Sequence, residues 1–244
     1  MRFTDETETM IEKRTFKAAF TATLPVLMGY LTMGMAAGIL LAGRIPRPDT
    51  VFWGFVTSAT SISGALQFAL VEWIVRHTSL LDVAMLTIFL NCRYAMYGLS
   101  LLERFRAANP LKKAYLVWTL TDETYALETE CRCPAGGNPL DYCFAVAMLD
   151  HLYWVAGVTA GTLIGRQLPF SNKGIDFAMT ALFLVILTDQ CREKRNRIPA
   201  AIGALAAVAG WLIFGTDRML IPAMALMVTA FLLGRKRLDR EAAS

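Results

Sequence analysis

An arginine and an asparagine lie inside an apolar stretch of the chain, in the sequence FLNCRYAMYGLS at residues 89–100. Arg93 is close to the centre of the apolar run 79–102, and Asn91 stands two residues earlier. A charge at the centre of a bilayer costs about 2.5–3.5 kcal/mol on insertion scales, so ionisable side chains there usually serve a function. A guanidinium is a planar, bidentate partner for a carboxylate. The pattern predicts that Arg93 binds an anionic group within the membrane.

Two polar stretches in neighbouring apolar segments could complete such a site. The sequence TSATSISG, residues 57–64, is a poor helix interior and predicts a break between two half-helices, because its residues are small and mostly polar. Thr-Asp-Glu at 121–123 lies in the segment 114–127, which is too short as a helix to cross a bilayer core of about 30 Å. Broken helices that meet near the midplane form the substrate sites of many secondary transporters. We therefore predict one midplane site that combines Arg93 with both stretches.

The candidate site residues fall into two groups by their chemistry. Those predicted to bind substrate are Asn91, Arg93, Tyr94, Ser61, Ser63, Gly64, Gln67 and Thr121. Those predicted to carry a proton or couple an ion are Asp122, Glu123 and Asp150. A guanidinium, an acid and the surrounding apolar residues suit a zwitterionic amino acid with an aliphatic side chain. The alternative is that Arg93 pairs with Asp122 or Glu123 inside the protein and only fixes helix packing.

The helical period divides the polar residues of the run 79–102 between two stripes. One stripe carries Asn91, Tyr94 and Gly98, and the other carries Arg93, Tyr97 and Ser100. Both stripes can be used if the helix is surrounded by protein, which is the arrangement we expect.

Composition identifies the class of protein that positions these residues. The chain is 55% hydrophobic with a mean hydropathy of +0.44, which indicates an all-α polytopic membrane protein in a lipid bilayer. The net charge of +4 predicts no nucleic-acid partner, because the basic residues cluster between apolar runs. With two histidines and no second pair beside Cys131 and Cys133, we expect neither a metal site nor a cofactor. The sequence also lacks the P-loop, H-E-x-x-H and G-x-S-x-G motifs.

The distribution of Lys and Arg decides between two topologies. Apolar stretches occur at about 16–43, 50–75, 79–102, 114–127, 142–165, 175–190, 199–215 and 219–234. Eight spanning helices would place 14 basic residues inside and 9 outside, whereas six spans with 50–75 and 114–127 as re-entrant or broken segments give 17 and 6. The positive-inside rule favours about six spanning helices, with eight as the alternative.

The favoured topology also gives a division of the chain. It predicts a cytoplasmic N-terminal segment at 1–15, a single transmembrane domain at 16–234 and a cytoplasmic tail at 235–244. Glycines at every fourth position, Gly34 and Gly38 in one segment and Gly157, Gly161 and Gly165 in another, predict helices that approach closely.

Several stretches together resemble the AzlC-type branched-chain amino acid permeases, the large subunit of a bacterial two-component exporter. The matching pieces are PVLMGYLTMGMAAG, SGALQFALVEW, LNCRYAMYGLSL, LTDETYAL, YWVAGVTAGTLIG and GIDFAMTALFLVIL. The resemblance implies export of branched-chain or related amino acids across the bacterial inner membrane. It also implies a small separate membrane subunit of the AzlD type as partner.

The leading hypothesis is therefore a secondary transporter and not an enzyme, driven by the membrane potential or a proton gradient. A polytopic membrane enzyme would need Ser61 or Ser63 as nucleophile in contact with His151 as base. A third hypothesis is a scaffold for the small subunit that transports nothing itself.

Overall fold

The chain is an all-α polytopic membrane protein, as its hydropathy predicts. The computed structural model describes residues 2–167, 184, 187–188, 191–192, 194–215 and 219–242. They belong to two compact units, 1–175 and 176–244, which are described separately. The predicted apolar segment 175–190 lies almost wholly outside the described residues.

The first unit contains α1 (Arg2–Arg44), α2 (Thr50–Thr60), α3 (Gly64–Val75), α4 (Leu80–Ser100), α5 (Pro110–Trp118), α6 (Asp122–Glu130) and α7 (Pro139–Gly165). The second unit contains α8 (Lys194–Phe214) and α9 (Leu220–Ala242). Within the described ranges, four helices are long and apolar enough to cross a membrane: Lys13–Arg44 of α1, α4, α7 and Arg197–Phe214 of α8.

The predicted break in the second apolar segment is present at residues 61–63. Helix α2 ends at Thr60, and α3 begins at Gly64 with Ser63 as its N-cap. The Ser63 hydroxyl accepts a hydrogen bond from the Leu66 amide at 3.4 Å. A serine satisfies an amide at the start of a helix that has no partner within the helix, so the sequence restarts the helix here.

The fourth segment, predicted from the sequence to be re-entrant or broken, is interrupted at residues 119–121. Thr121 has extended backbone angles, and its side chain accepts from the Thr124 amide at 3.2 Å, so Thr121 is the N-cap of α6. Asp122 and Glu123 then occupy the first turn of α6, where the positive end of the helix dipole stabilises negative charge. The capping threonine thus moves both acids from a helix interior to a helix start.

Glycines bring α1 and α7 into backbone contact, which confirms the predicted close approach. A Cβ added to Gly34 would lie 3.0 Å from the Val158 amide nitrogen, and one added to Gly157 would lie 2.9 Å from the Tyr30 carbonyl oxygen. Gly38 and Gly161 lie still closer to main-chain atoms of the opposite helix. The two helices run parallel, because contacts advance along both in the same direction.

Helices α2 and α3 form a hairpin that starts and ends beside the C-terminal end of α1. The Thr50 hydroxyl donates to the Ile45 carbonyl at 2.6 Å, and Arg44 pairs with Glu72 of α3 at 3.0 Å. The start of α3 lies further back along α1, where a Cβ on Gly64 would be 3.9 Å from Met33. Helix α2 therefore runs back along α1, and α3 returns.

Helices α5 and α6 form a second hairpin, which starts and ends beside the beginning of α7. Lys112 near the start of α5 pairs with Asp141 in the first turn of α7. Thr129 near the end of α6 lines the same cavity as Pro139 and Leu140 at the start of α7, and its carbonyl accepts from Arg104, which follows α4, at 3.3 Å. The two hairpins consequently point their breaks toward each other from opposite ends of the α1–α7 pair.

Candidate functional site

An ion pair joins α4 to the start of α6 between the two breaks. Arg93 Nη1 lies 2.8 Å from Asp122 Oδ2, and the Tyr97 hydroxyl donates to Asp122 Oδ1 at 2.8 Å. The side chains of Arg93 and Asp122 are 45% and 39% exposed, so the pair remains accessible. The sequence left open whether Asp122 or Glu123 would be the internal partner of Arg93, and the structure selects Asp122.

Tyr94 connects this ion pair to the first break. Arg93 Nη2 donates to the Tyr94 hydroxyl at 3.2 Å, and the same hydroxyl lies 3.4 Å from the Ser63 hydroxyl. The guanidinium carbon also lies 5.0 Å from the centre of the Tyr94 ring, within the range of a cation–π interaction. Side chains from α4 and both breaks therefore meet around Arg93.

A second set of polar contacts runs from Glu123 on α6 to Asp150 on α7. Its middle consists of Tyr30, Thr121 and Thr124, which we call the hydroxyl chain. The Tyr30 hydroxyl donates to Glu123 Oε2 at 3.0 Å and lies 2.6 Å from the Thr121 hydroxyl. Thr121 donates to the Thr124 hydroxyl at 3.0 Å, and Thr124 donates to Asp150 Oδ2 at 2.8 Å.

Burial separates the hydroxyl chain and Asp150 from the ion pair, whereas Glu123 at the other end of the set is exposed. All three residues of the hydroxyl chain are buried, and Asp150 is only 1% exposed. Asp150 Oδ1 has no hydrogen-bond partner. Glu128, one helical turn beyond Thr124, is fully buried, and neither of its carboxyl oxygens has a partner. A charged carboxyl oxygen without a hydrogen-bond partner in an apolar interior is costly.

The structure therefore brings some predicted residues together and leaves others apart. Arg93, Tyr94, Ser63 and Asp122 form one connected group, and Thr121, Glu123 and Asp150 belong to the other.

Four further predicted residues make no hydrogen bond to Arg93. Gln67 is fully buried and donates to Thr57 at 3.0 Å, within its own hairpin. A Cβ on Gly64 would lie 3.5 Å from the Trp154 ring, which leaves little space at the start of α3. The Ser61 hydroxyl and the Asn91 side-chain oxygen are buried without partners.

Sequence reasoning missed Tyr30, Thr124 and Glu128. Tyr30 stands in an apolar helix with nothing nearby in sequence to suggest that its hydroxyl is used. Thr124 had no such signal either, because the capping-box pattern places Glu or Gln, and not Thr, three residues after the N-cap threonine. Glu128 follows Thr124 by four residues, so both lie on one face of α6.

In the described part of the chain, neither of the two serines predicted as a nucleophile is paired with His151. Ser63 faces Tyr94, and His151 Nδ1 lies 3.0 Å from the Tyr115 hydroxyl. Over residues 2–167, no hydrogen bond joins a serine to His151.

Comparison with known proteins gives one family and several membrane-protein relatives. Residues 25–168 match the family described as AzlC protein. The chain is 35% identical over 226 residues to a Helicobacter pylori protein named uncharacterized membrane protein, covering 93% of this chain and 97% of the relative. It is 30% identical to the Bacillus subtilis branched-chain amino acid transport protein AzlC, covering 92% and 87% respectively. It is 26% identical to the Escherichia coli inner membrane protein YgaZ, covering 80% and 81%. No solved structure matches the chain.

Proposed function

The chain belongs to the AzlC family, and from this premise we propose that it is a secondary transporter of branched-chain or related aliphatic amino acids. It exports them from the cytoplasm across the bacterial inner membrane and catalyses no chemical reaction. The name of the Bacillus subtilis relative supports the substrate class, and the polar residues between the two breaks support the site.

The Arg93–Asp122 ion pair is the observation that carries the proposal. The pair has the same two charges as a zwitterionic amino acid, at 2.8 Å and partly exposed. A substrate can therefore bind by replacing this ion pair with two new ones. Its carboxylate pairs with the Arg93 guanidinium, and its ammonium group pairs with the Asp122 carboxylate. Because two ionic contacts replace one, little uncompensated charge is left buried, which would otherwise be expensive.

The two hairpins support an alternating-access mechanism. They approach the ion pair from opposite ends of the α1–α7 pair, so a small tilt of either one opens the site toward its own side. The positive-inside count supports a topology with both termini in the cytoplasm, and the positions of the two hairpins support 50–75 and 114–127 as its re-entrant segments. The membrane potential or a proton gradient supplies the energy.

A small AzlD-type membrane subunit is the partner that we propose from family resemblance. Its contribution is measurable as the difference in flux between vesicles that contain and vesicles that lack it.

The test is counterflow of labelled valine, leucine and isoleucine in proteoliposomes. We expect Arg93→Ala to abolish counterflow, because the substrate carboxylate loses its partner. Arg106→Ala is the matched control, since Arg106 makes only a 3.8 Å pair with Glu103 on the surface and is expected to leave counterflow unchanged. Both variants are compared at equal amounts of folded protein.

A charge exchange separates substrate binding from helix packing. The double variant Arg93→Asp with Asp122→Arg can form the same ion pair in reverse, so a purely structural pair would restore counterflow. We expect no restoration, because the groups that receive the substrate carboxylate and ammonium have changed places. Restored counterflow, or normal counterflow in Arg93→Ala, contradicts the proposed site.

A further inference from the structure

If both carboxyl groups are ionised, there are too few protons to form a hydrogen bond at every oxygen–oxygen contact between Glu123 and Asp150. Four oxygen–oxygen contacts link the two acids: Glu123 to Tyr30, Tyr30 to Thr121, Thr121 to Thr124 and Thr124 to Asp150. The hydroxyl chain supplies only three protons, one for each hydroxyl. One contact would then have no hydrogen.

The unfilled contact would be a short one. If Tyr30 donates to Glu123 and Thr124 donates to Asp150, Thr121 must serve both its neighbours with one proton. If Thr121 donates to Thr124, two oxygen lone pairs face each other across 2.6 Å between Tyr30 and Thr121. That distance is typical of an O–H···O hydrogen bond and not of two oxygens without a hydrogen.

One additional proton fills all four contacts. It can lie on Glu123, with every hydroxyl donating toward Asp150, or on Asp150, with every hydroxyl donating toward Glu123. The two arrangements have the same number of hydrogen bonds, and they differ in the end that carries the neutral acid: Glu123 is exposed, whereas Asp150 is only 1% exposed. In the described part of the chain, no Lys or Arg lies within ion-pair distance of either acid, so no cation favours ionising both.

We propose that Glu123 and Asp150 share one proton through the hydroxyl chain, and that this proton is the coupling ion. The second half of this inference rests on the proposed transport function, whereas the shared proton does not. Glu123 is adjacent to Asp122 of the ion pair, so substrate exchange at Asp122 replaces the Arg93 guanidinium by an ammonium group and moves the positive charge relative to one end of the chain. The arrival of a substrate therefore shifts the proton between the α6 end and the α7 end.

The transfer balances without any further reactant. Glu123 gives its proton to the Tyr30 oxygen as Tyr30 gives its own to Thr121. Thr121 passes its proton to Thr124, and Thr124 passes its proton to Asp150. Four O–H bonds break and four form. Each hydroxyl stays neutral, and one carboxyl is ionised as the other becomes an acid.

Infrared spectroscopy of the purified protein tests the shared proton directly, through the carbonyl stretch of protonated carboxylic acids. An amide at either end can donate to the chain and fill all four contacts, which leaves the other acid ionised. We therefore expect Glu123→Gln and Asp150→Asn each to lose one carboxylic acid, and the double variant to lose no more than either single variant. Two independent acids would give a loss of two in the double variant, and two carboxylates would give no loss. Either result overturns the proposal, as does a loss confined to one single variant.

Variants that cut the chain test its role in coupling. We expect Tyr30→Phe to retain counterflow but to lose the stimulation of export by a pH gradient. Tyr153→Phe is the matched control, because the Tyr153 hydroxyl bonds to Thr23 at 3.2 Å outside the chain, and we expect it to behave as wild type. Thr124→Val cuts the chain beside Asp150 and provides a second variant should Tyr30→Phe not fold.

The two proposals fail in different ways. Absence of amino acid counterflow in the wild type contradicts the transport function and leaves the infrared result standing. Normal counterflow together with additive infrared losses contradicts the shared proton alone. Undiminished stimulation by a pH gradient in both Tyr30→Phe and Thr124→Val contradicts the coupling role.

Discussion

Asp122 is held by two donors, and they come from the same face of α4. Arg93 and Tyr97 are four residues apart, which places them one above the other on a helix. The Tyr97 ring is itself fixed by stacking on Tyr125, with ring centres 4.3 Å apart and planes 11° from parallel. The position of the carboxylate is thus set by a charge, a hydroxyl and an aromatic stack together.

Removal of the Tyr97 hydroxyl should weaken transport without unfolding the protein. Tyr97→Phe keeps the stack on Tyr125 but loses the hydrogen bond to Asp122. A hydrogen bond to a charged group contributes about 1.5–3 kcal/mol when buried, and at this half-exposed site we expect about 1 kcal/mol, a fall of roughly fivefold in transport kcat/KM. The fall in transport kcat/KM is measured from export kinetics in vesicles.

Tyr125→Phe is the control, because it loses only the hydrogen bond from Ser100 at 3.1 Å, and it should show a smaller change in kcat/KM. Equal losses in both variants would assign the effect to packing of the two rings.

Single site residues could be predicted where the sequence places a charged side chain in an apolar segment, because burying that charge is energetically costly. Arg93 and the acids at 122 and 123 stand out because charge in an apolar segment must be compensated. The stripe of Arg93 and Tyr97 also followed from helical period, and both side chains do contact Asp122. Tyr30 was not predictable, because a tyrosine packs equally well as an apolar side chain, and only the fold brings its hydroxyl to Thr121.

The two helix breaks differ in how well the sequence predicts them. TSATSISG is long and weakly helical, so its interruption could be seen in the sequence. The break at 119–121 depends on one capping threonine in an otherwise regular segment, and local pattern alone gives such a cap little weight against continued helix. The glycine spacing in α1 and α7 was the clearest signal, because few other reasons place glycine at every fourth position of a membrane helix.

Two glycines of α1 should respond in opposite ways to the same substitution. Gly38→Ala places a Cβ against the main chain of α7, with the Thr162 amide nitrogen 2.5 Å away, and overpacking of this kind costs about 1–3 kcal/mol. Gly29→Ala adds a Cβ with no atom within 4 Å, and alanine is the better helix former by about 0.5–1 kcal/mol. We expect thermal unfolding in detergent to shift downward for Gly38→Ala and slightly upward for Gly29→Ala. Similar shifts in both would show that α1 and α7 do not meet at these glycines.

For the molecule as a whole, the two hairpins predict which loops share a side of the membrane. Cysteines placed at Pro48 and His77 flank the first hairpin, and cysteines placed at Ala107 and Ala135 flank the second. In a variant whose five native cysteines are replaced, we expect an impermeant thiol reagent to label the first two from outside intact cells. The other two should react only after the inner face is exposed. Opposite labelling of positions 48 and 77 would mean that 50–75 crosses the bilayer, as in the topology of eight spans.

The contact between α1 and α7 constrains how this sequence can evolve. At most helix interfaces, a larger side chain on one helix can be compensated by a smaller side chain on the other. A glycine that packs against main-chain atoms has no opposing side chain that could become smaller. A larger residue at these positions therefore has no compensating substitution in the opposite helix. We therefore expect sequence variation among relatives to be smaller at the glycines that join α1 and α7 than in the two hairpins and α4.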